Sequence, residues 1–89
     1  PKSKPKAGLH IAPNPARESI QMQISGLEMN TILHVEMHDL SGLLLHSETM
    51  HSAGSTHLHT IRRNDLPSGM YIIKILFEDQ VLIQTVALE

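Results

Sequence analysis

One segment of the chain, residues 66–76, combines a sharp turn with a strand pattern and so constrains the fold more than any other. Its first four residues, 66–69 (LPSG), favour a turn, because proline presets the backbone and glycine leaves the turn without steric cost. Residues 70–77 are apolar except for Lys74 and rich in β-branched side chains, which predicts a central strand. Tyr71 stands at the start of that strand, as in the tyrosine corner of Greek-key sandwiches, where the phenol hydroxyl bonds a nearby backbone group.

Short apolar segments separated by turn signals recur through the rest of the chain, at the roughly 8–12-residue spacing typical of all-β folds. In the clearest of them Ile20, Met22 and Ile24 alternate with polar residues and so line one face of a strand. Strands are predicted at residues 9–12, 19–25, 32–39, 43–49, 56–61, 70–77 and 81–88. Parallel pairing needs crossover helices, for which no pattern is present, so antiparallel pairing is expected.

These seven segments predict the fold class. Short alternating strands together with a corner tyrosine favour an all-β, immunoglobulin-like antiparallel β-sandwich with Greek-key connections. A barrel is the alternative that strand count alone leaves open. The last two strands are separated only by residues 78–80 (EDQ) and are expected to pair as a terminal hairpin.

Length and composition allow one domain and exclude several functions. Residues 1–8 hold two prolines, three lysines and no large apolar side chain, which indicates a linker or a cloning remnant, so the domain is expected at residues 9–89. That domain has four Lys or Arg against nine Asp or Glu, which argues against a nucleic-acid partner. No apolar run approaches the ~20 residues of a membrane-spanning helix, and the absence of cysteine excludes disulfides and thiolate sites.

The seven histidines of the chain are its most conspicuous candidate ligands. His57 and His59 are expected to share one face of a strand, and His34 and His38 on another strand can in principle complete a metal site. No HExxH-like or carboxylate-paired spacing accompanies them, and histidines on the polar face of a strand need no ligand. We therefore expect solvated histidines, no metal and no cofactor.

The side chains in the predicted turns do not indicate a calcium site, a catalytic nucleophile or a phosphate site. Asp39, Asn64, Asp65, Glu78 and Asp79 can in principle serve a calcium site, but they form no D-x-D-x-D-G loop and are expected to bond their own backbone. No serine stands in a G-x-S-x-G elbow, and no glycine-rich loop suits a phosphate. No catalytic residue is therefore predicted, and the domain is not expected to be an enzyme.

Three motifs follow one another along the chain, at residues 11–16 (IAPNPA), 35–44 (VEMHDLSGLL) and 66–75 (LPSGMYIIKI). In this order and spacing they resemble the C-terminal sorting domain (type A) of cargo proteins of the type IX (Por) secretion system, over residues 9–88. The motif residues that carry the resemblance and are expected to shape turns are Pro13, Asn14, Pro15, Asp39, Gly42, Leu66, Pro67, Gly69 and Tyr71.

The resemblance implies a non-catalytic signal that directs a cargo protein of a Bacteroidetes-type bacterium through the outer-membrane translocon. Such signals are commonly removed by a surface sortase, so the implied partners are translocon and sortase components of the type IX system. The implied location is the periplasm in transit, then the cell surface or the medium. Leu43, His38 and Arg63 stand where that family usually has a basic, an aromatic and an apolar residue, respectively.

The recognition surface is expected at the terminal hairpin. Its last strand is predicted to be a sheet edge, whose unpaired backbone groups let a receptor add a strand and also permit self-association. The candidate edge residues are Val81, Leu82, Ile83, Gln84, Thr85 and Val86. The alternative function is an accessory immunoglobulin-like binding or spacer module of a secreted enzyme, although sugar binding usually needs exposed aromatic rings.

Overall fold

A computed structural model of the chain describes residues 7–89, and residues 1–6 of the predicted linker lie outside that part. The described residues form seven strands: β1 (Gly8–Ile11), β2 (Ser19–Ser25), β3 (Ile32–Asp39), β4 (Leu44–His51), β5 (Thr56–Arg62), β6 (Gly69–Phe77) and β7 (Gln80–Leu88). These strands match the predicted segments to within two residues at each end. None of the described residues belongs to a helix that is long and apolar enough to cross a membrane.

The strands form two antiparallel sheets. One has the strand order β1-β2-β5 and the other β4-β3-β6-β7. The chain passes from one sheet to the other after β2, β4 and β5, which is a Greek-key path. The predicted all-β, immunoglobulin-like sandwich is therefore confirmed. The prediction that β6 is an inner strand and forms a terminal hairpin with β7 is also confirmed.

Aliphatic side chains from both sheets fill the core. Along the inner strands every second side chain is buried, because successive residues of a strand point to opposite faces. The fully buried aliphatic and methionine side chains are Ile20, Ile24, Leu33, Val35, Met37, Ile73, Ile75 and Val86. Replacing a Leu or Ile in such a core by Ala typically costs about 2–5 kcal/mol of stability, so these residues hold the two sheets together.

Two residues that the sequence assigned to the linker, Ala7 and Gly8, contact the sandwich. Gly8 begins β1 and pairs with Ser25, and Ala7 packs against the core. A Cβ atom at Gly8 would lie 3.2 Å from Ser25 Oγ, so a residue without a side chain suits this close strand pair. β4 extends two residues beyond its predicted end, to His51, because Met50 continues to pack against the core.

The two sides of the sandwich, where edges of the two sheets meet, are closed in different ways. On one side, which we call the backbone seam, Ala16 in the β1–β2 connection forms a parallel bridge with Leu88, and β1 lies beside β7. On the other side, which we call the histidine seam, side chains of β4 and β5 meet. There His59 Nε2 lies 2.5 Å from Glu48 Oε2.

Candidate functional site

The three sequence motifs meet at one end of the sandwich. Asp39 pairs with Tyr71 across β3 and β6, and Tyr71 pairs with Val86 across β6 and β7. Two residues further along β7, Leu88 forms the bridge with Ala16. Residues far apart in the sequence are therefore neighbours here. We call this region the motif end; it consists of residues 12–17, 39–43, 63–71 and 86–89.

Tyr71 anchors the corner that precedes β6. Its side chain is 4% exposed, and its hydroxyl donates a hydrogen bond of 2.5 Å to the carbonyl of Pro67. Gly69 has a φ of +150°, which favours glycine and lets the chain enter the strand directly after the turn. Leu66 packs against the core from the same turn. This is the corner geometry that the sequence predicted, and the tyrosine hydroxyl is engaged within it.

Asp39 closes the β3–β4 turn with its side chain. Its Oδ1 accepts hydrogen bonds from the Ser41 hydroxyl at 2.6 Å, the Ser41 amide at 2.9 Å and the Leu43 amide at 3.0 Å. These bonds, that of the Ser41 hydroxyl first, hold the pKa of Asp39 below its ordinary value. Gly42, at φ +94°, donates its amide to the Asp39 carbonyl at 3.0 Å. The turn is thus held from within, and it leaves Leu40 exposed.

Residues 12–17 cover the end of β7. The side-chain oxygen of Asn14 accepts a hydrogen bond from the Ala87 amide at 3.1 Å, and the Ala16 amide donates to the Ala87 carbonyl at 2.8 Å. The Glu89 amide donates to the Ala16 carbonyl at 2.9 Å. The two prolines that flank Asn14 are exposed and follow cis peptide bonds. This motif therefore occupies the outward backbone groups of Ala87, a contact that sequence reasoning missed.

Beyond this cover, β7 is an open sheet edge, since within its sheet it pairs only with β6. Along an antiparallel strand, the backbone groups of successive residues point alternately toward the paired strand and away from it. The backbone groups of Ala87 point away from β6. Those of Thr85, Ile83 and Val81, at every second position, therefore do the same. The side chains of Val81 and Ile83 are 53% and 62% exposed. The remaining predicted edge residues alternate with these and turn their side chains to the inner face: Leu82, Gln84 and Val86.

Arg63 links three segments of the motif end, and sequence reasoning did not assign it a function. Its Nε donates to the Leu66 carbonyl at 2.9 Å, and its Nη2 donates to the Ser68 hydroxyl at 3.0 Å. Its Nη1 donates to the Arg17 carbonyl at 3.0 Å and also to the Glu89 carbonyl. An apolar residue, which the resemblance leads one to expect at this position, would make none of these bonds. The departure from the usual residue was the only sequence signal for this role.

The four histidines that were considered as a metal set lie on different surfaces. His57 and His59 face the inside of the sandwich, where their rings stack with centroids 6.1 Å apart. His34 and His38 lie on the outer face of β3, and His34 Nδ1 is within 2.9 Å of the Thr49 hydroxyl. The four histidines, which the sequence left open only as an alternative, are therefore not brought together.

The histidine seam brings together His46, Glu48 and His59 instead. The side chain of His59 is only 16% exposed, so the expectation that the histidines are solvated is wrong for His59. Glu48 Oε2, which His59 contacts, also lies 3.4 Å from His46 Nε2. Burial raises the pKa of Glu48, but the hydrogen bond of His46 and the charges of both histidines outweigh it, so the pKa lies below its ordinary value. Burial, and secondarily His59, lower the pKa of His57. Within residues 7–89, no three His, Asp or Glu side chains are grouped to hold a metal ion.

The remaining candidate turn residues lie in the β5–β6 and β6–β7 connections. Asn64 and Glu78 have left-handed backbone conformations, with φ of 54° and 52°. Asp65 and Asp79, which follow them, are exposed. Asn is among the residues that tolerate this conformation best, which agrees with the expectation that these positions shape turns.

Comparison with known proteins agrees with the fold and with the family that the motifs resemble. The family profile described as "Secretion system C-terminal sorting domain" matches residues 10–89. A search of curated proteins gave no match. Among solved structures, dimeric latent PorU from Porphyromonas gingivalis is similar, with a TM-score of 0.77 and 17% identity. The similarity covers 92% of this chain and 9% of that chain, and at this identity it shows the fold alone.

Proposed function

Since this chain belongs to the family of secretion system C-terminal sorting domains, we propose that the open edge of β7, beside the motif end, is the surface that the export machinery recognises. Members of this family are the C-terminal sorting signals of type IX cargo proteins, so the signal implies export to the cell surface or secretion. The family is in general non-catalytic.

The observation that supports this surface is the pairing state of β7. The strand has nine residues, none of them charged. β1 of the other sheet lies beside it without pairing, and residues 12–17 bond the outward backbone groups of Ala87. Natural proteins usually protect an edge strand by making it short, by placing charges on it or by covering it. A long uncharged edge therefore suits a receptor that adds a strand of its own to the sheet, with backbone hydrogen bonds to Val81, Ile83 and Thr85.

The outer face of the same sheet supports the proposal independently. The outward face of an antiparallel sheet is normally polar, whereas this one exposes five large apolar side chains: Ile32, Leu44, Met70, Val81 and Ile83. On the outer face of the three-stranded sheet only Leu58 is a large exposed apolar residue among those described. Two of the five, Val81 and Ile83, lie on β7 itself, and exposed apolar side chains of this kind commonly mark an interaction surface.

The finer steps of the proposal concern the partners. Residues 9–89 act as the signal, the outer-membrane translocon recognises it from the periplasm, and a surface sortase then removes it. The domain itself contributes no catalysis, in keeping with side chains such as Asp39 and Tyr71 that bond within their own turns. Two copies of the domain can also pair through the same edge, and such self-association would compete with the receptor.

A matched pair of variants tests the proposal in a reporter protein that carries residues 1–89 at its C-terminus in a type IX-competent host. Ile83→Lys places a charge on the open edge of β7, and Leu58→Lys makes the same change at a site that is 73% exposed on β5, an edge of the other sheet. We expect surface export to fall about tenfold or more for Ile83→Lys, as for a loss of ~1.4 kcal/mol in binding, and to persist for Leu58→Lys. Equal export of both variants, with both folded by circular dichroism, would refute it.

A further inference from the structure

We propose that Arg63 is a positioning residue that sets how far the open edge of β7 extends, by holding residues 12–17 over its end. This inference rests on the proposed function, because it concerns the surface that the receptor is proposed to read. It assigns a role to a residue at which the chain departs from the apolar residue that the family resemblance leads one to expect.

The cover that Arg63 holds has little apolar contact of its own. In residues 12–17 only Ala16 is buried, and the other five residues are exposed. Burial of one methyl group contributes little, since apolar burial stabilises by about 25 cal/mol per Å². The attachment of the cover to β7 and Glu89 therefore depends on polar contacts. They are the hydrogen bonds of Asn14 and Ala16 to Ala87, that of the Glu89 amide to Ala16, and an exposed ion pair of Arg17 Nε with Glu89 Oε1 at 2.9 Å.

Arg63 strengthens the attachment of residues 12–17, because its own position is fixed by hydrogen bonds to neighbouring segments. Its own amide donates to the Glu18 carbonyl at 2.9 Å, and its Nε bonds the Leu66 carbonyl, so the guanidinium is anchored at the corner that Tyr71 holds. From there Nη1 reaches both the covering segment, at the Arg17 carbonyl, and the end of the chain, at Glu89. Arginine suits this position because its planar group offers five donors in fixed directions, whereas lysine offers a single point.

The consequence for recognition is a defined register. With the cover in place, the outward groups of Ala87 are occupied and a receptor strand can pair only as far as Thr85. Without it, the edge gains a further outward residue at Ala87. A receptor strand could then slip along a uniform, uncharged edge, on which register is weakly specified.

Amide hydrogen exchange on the complete chain tests the inference, with Arg63→Gln and Arg63→Lys as variants and Arg62→Gln as the control. Arg62 carries the same charge, is exposed and is the adjacent residue at the end of β5. We expect exchange of the Ala16 and Ala87 amides to accelerate about tenfold or more in both Arg63 variants, because the hydrogen bonds of a charged group that hold the covering segment are lost or reduced. The amide of Ile73 in β6 should change little, and Arg62→Gln should resemble the parent chain.

The inference is overturned if Arg63→Gln leaves both amides protected, if Arg63→Lys retains full protection, or if exchange rises equally throughout the core. Because this measurement needs no secretion machinery, it stands apart from the export test of the edge itself. In a host where the unchanged signal is exported and Ile83→Lys is not, Arg63→Gln should lower export about tenfold relative to Arg62→Gln, as for a loss of ~1.4 kcal/mol in binding. Undiminished export of Arg63→Gln there would refute its role in recognition while leaving the edge proposal intact.

Discussion

The backbone seam and the histidine seam close the same sandwich with different chemistry. At the backbone seam, main-chain groups of Ala16, Ala87 and Glu89 bond one another, and the side chain of Leu88 is 3% exposed. At the histidine seam, the contact between the sheets is made by side chains, with His59 Nε2 beside the carboxylate of Glu48.

This difference separates two tasks. Main-chain hydrogen bonds contain no titrating group, so the main-chain bonds that hold residues 12–17 on β7 do not depend on the protonation of a side chain. The histidine seam includes Glu48 of β4 and, against Met50, His57 of β5; the pKa of each is lowered, and neither belongs to a motif. The contrast leads to three expectations, ordered from the largest effect to the smallest.

The largest difference should appear when one leucine is truncated on each side. Leu88→Ala removes a buried side chain at the backbone seam, and Leu45→Ala removes one that is only partly buried on β4. We expect Leu88→Ala to lower the free energy of unfolding by about 2–5 kcal/mol, and Leu45→Ala to lower it by less than about 2 kcal/mol. Urea unfolding of both variants measures this, and an equal or larger loss for Leu45→Ala would contradict the contrast.

A smaller difference in the free energy of unfolding is expected when one polar contact is removed on each side of the sandwich. Tyr71→Phe deletes the hydrogen bond to Pro67 in the corner next to β7, and Glu48→Gln removes the charge that faces two histidines. We expect losses of about 1–1.5 kcal/mol for Tyr71→Phe and about 0–1 kcal/mol for Glu48→Gln, whose side chain is 41% exposed. Thermal unfolding at pH 7 compares them; a greater loss from Glu48→Gln would reverse the ranking.

The smallest expected effect is a pH dependence of stability that arises from Glu48 and His57 at the histidine seam. The pKa of His57 is lower in the folded chain than the ordinary ~6.5 of the unfolded chain. Between these two pKa values the unfolded chain binds more protons than the folded chain, so the free energy of unfolding falls as the pH falls. The lowered pKa of Glu48 acts in the same direction at more acidic pH. We expect the melting temperature to decline from pH 7.5 to 5.5, and His57→Asn to flatten that decline. An unchanged slope in the variant would exclude His57 as the cause.

Local patterns in the sequence were sufficient for the strands and for two of the turns. Alternation of apolar and polar residues located β2 and β3, and proline, glycine and aspartate located the corner at Tyr71 and the turn at Asp39. These features are determined by neighbours within a few residues, so they are legible in a single sequence. The fold class followed because antiparallel sandwiches are built from such segments.

Two features could not be read in the same way. The bond between Asn14 and Ala87 joins residues 73 positions apart, and the neighbouring bonds use main-chain atoms that every residue has. The alternating pattern of β5 predicts that His57 and His59 share one face of the strand, but it does not show whether that face points into the core. In the structure Ile61, on the same face, is 3% exposed, so this face points inward and Leu58 points outward.

Recognition through the edge of β7 is tested most directly by site-specific photocrosslinking in a type IX-competent host. A photoreactive residue is placed at position 83 on the open edge or, as the control, at position 58 on β5, in the same exported reporter. We expect position 83 to form a specific adduct with an outer-membrane component of the secretion system and position 58 to form none. Adducts of equal yield from both positions, or an adduct from position 58 alone, would contradict the proposal that this edge is the surface that is read.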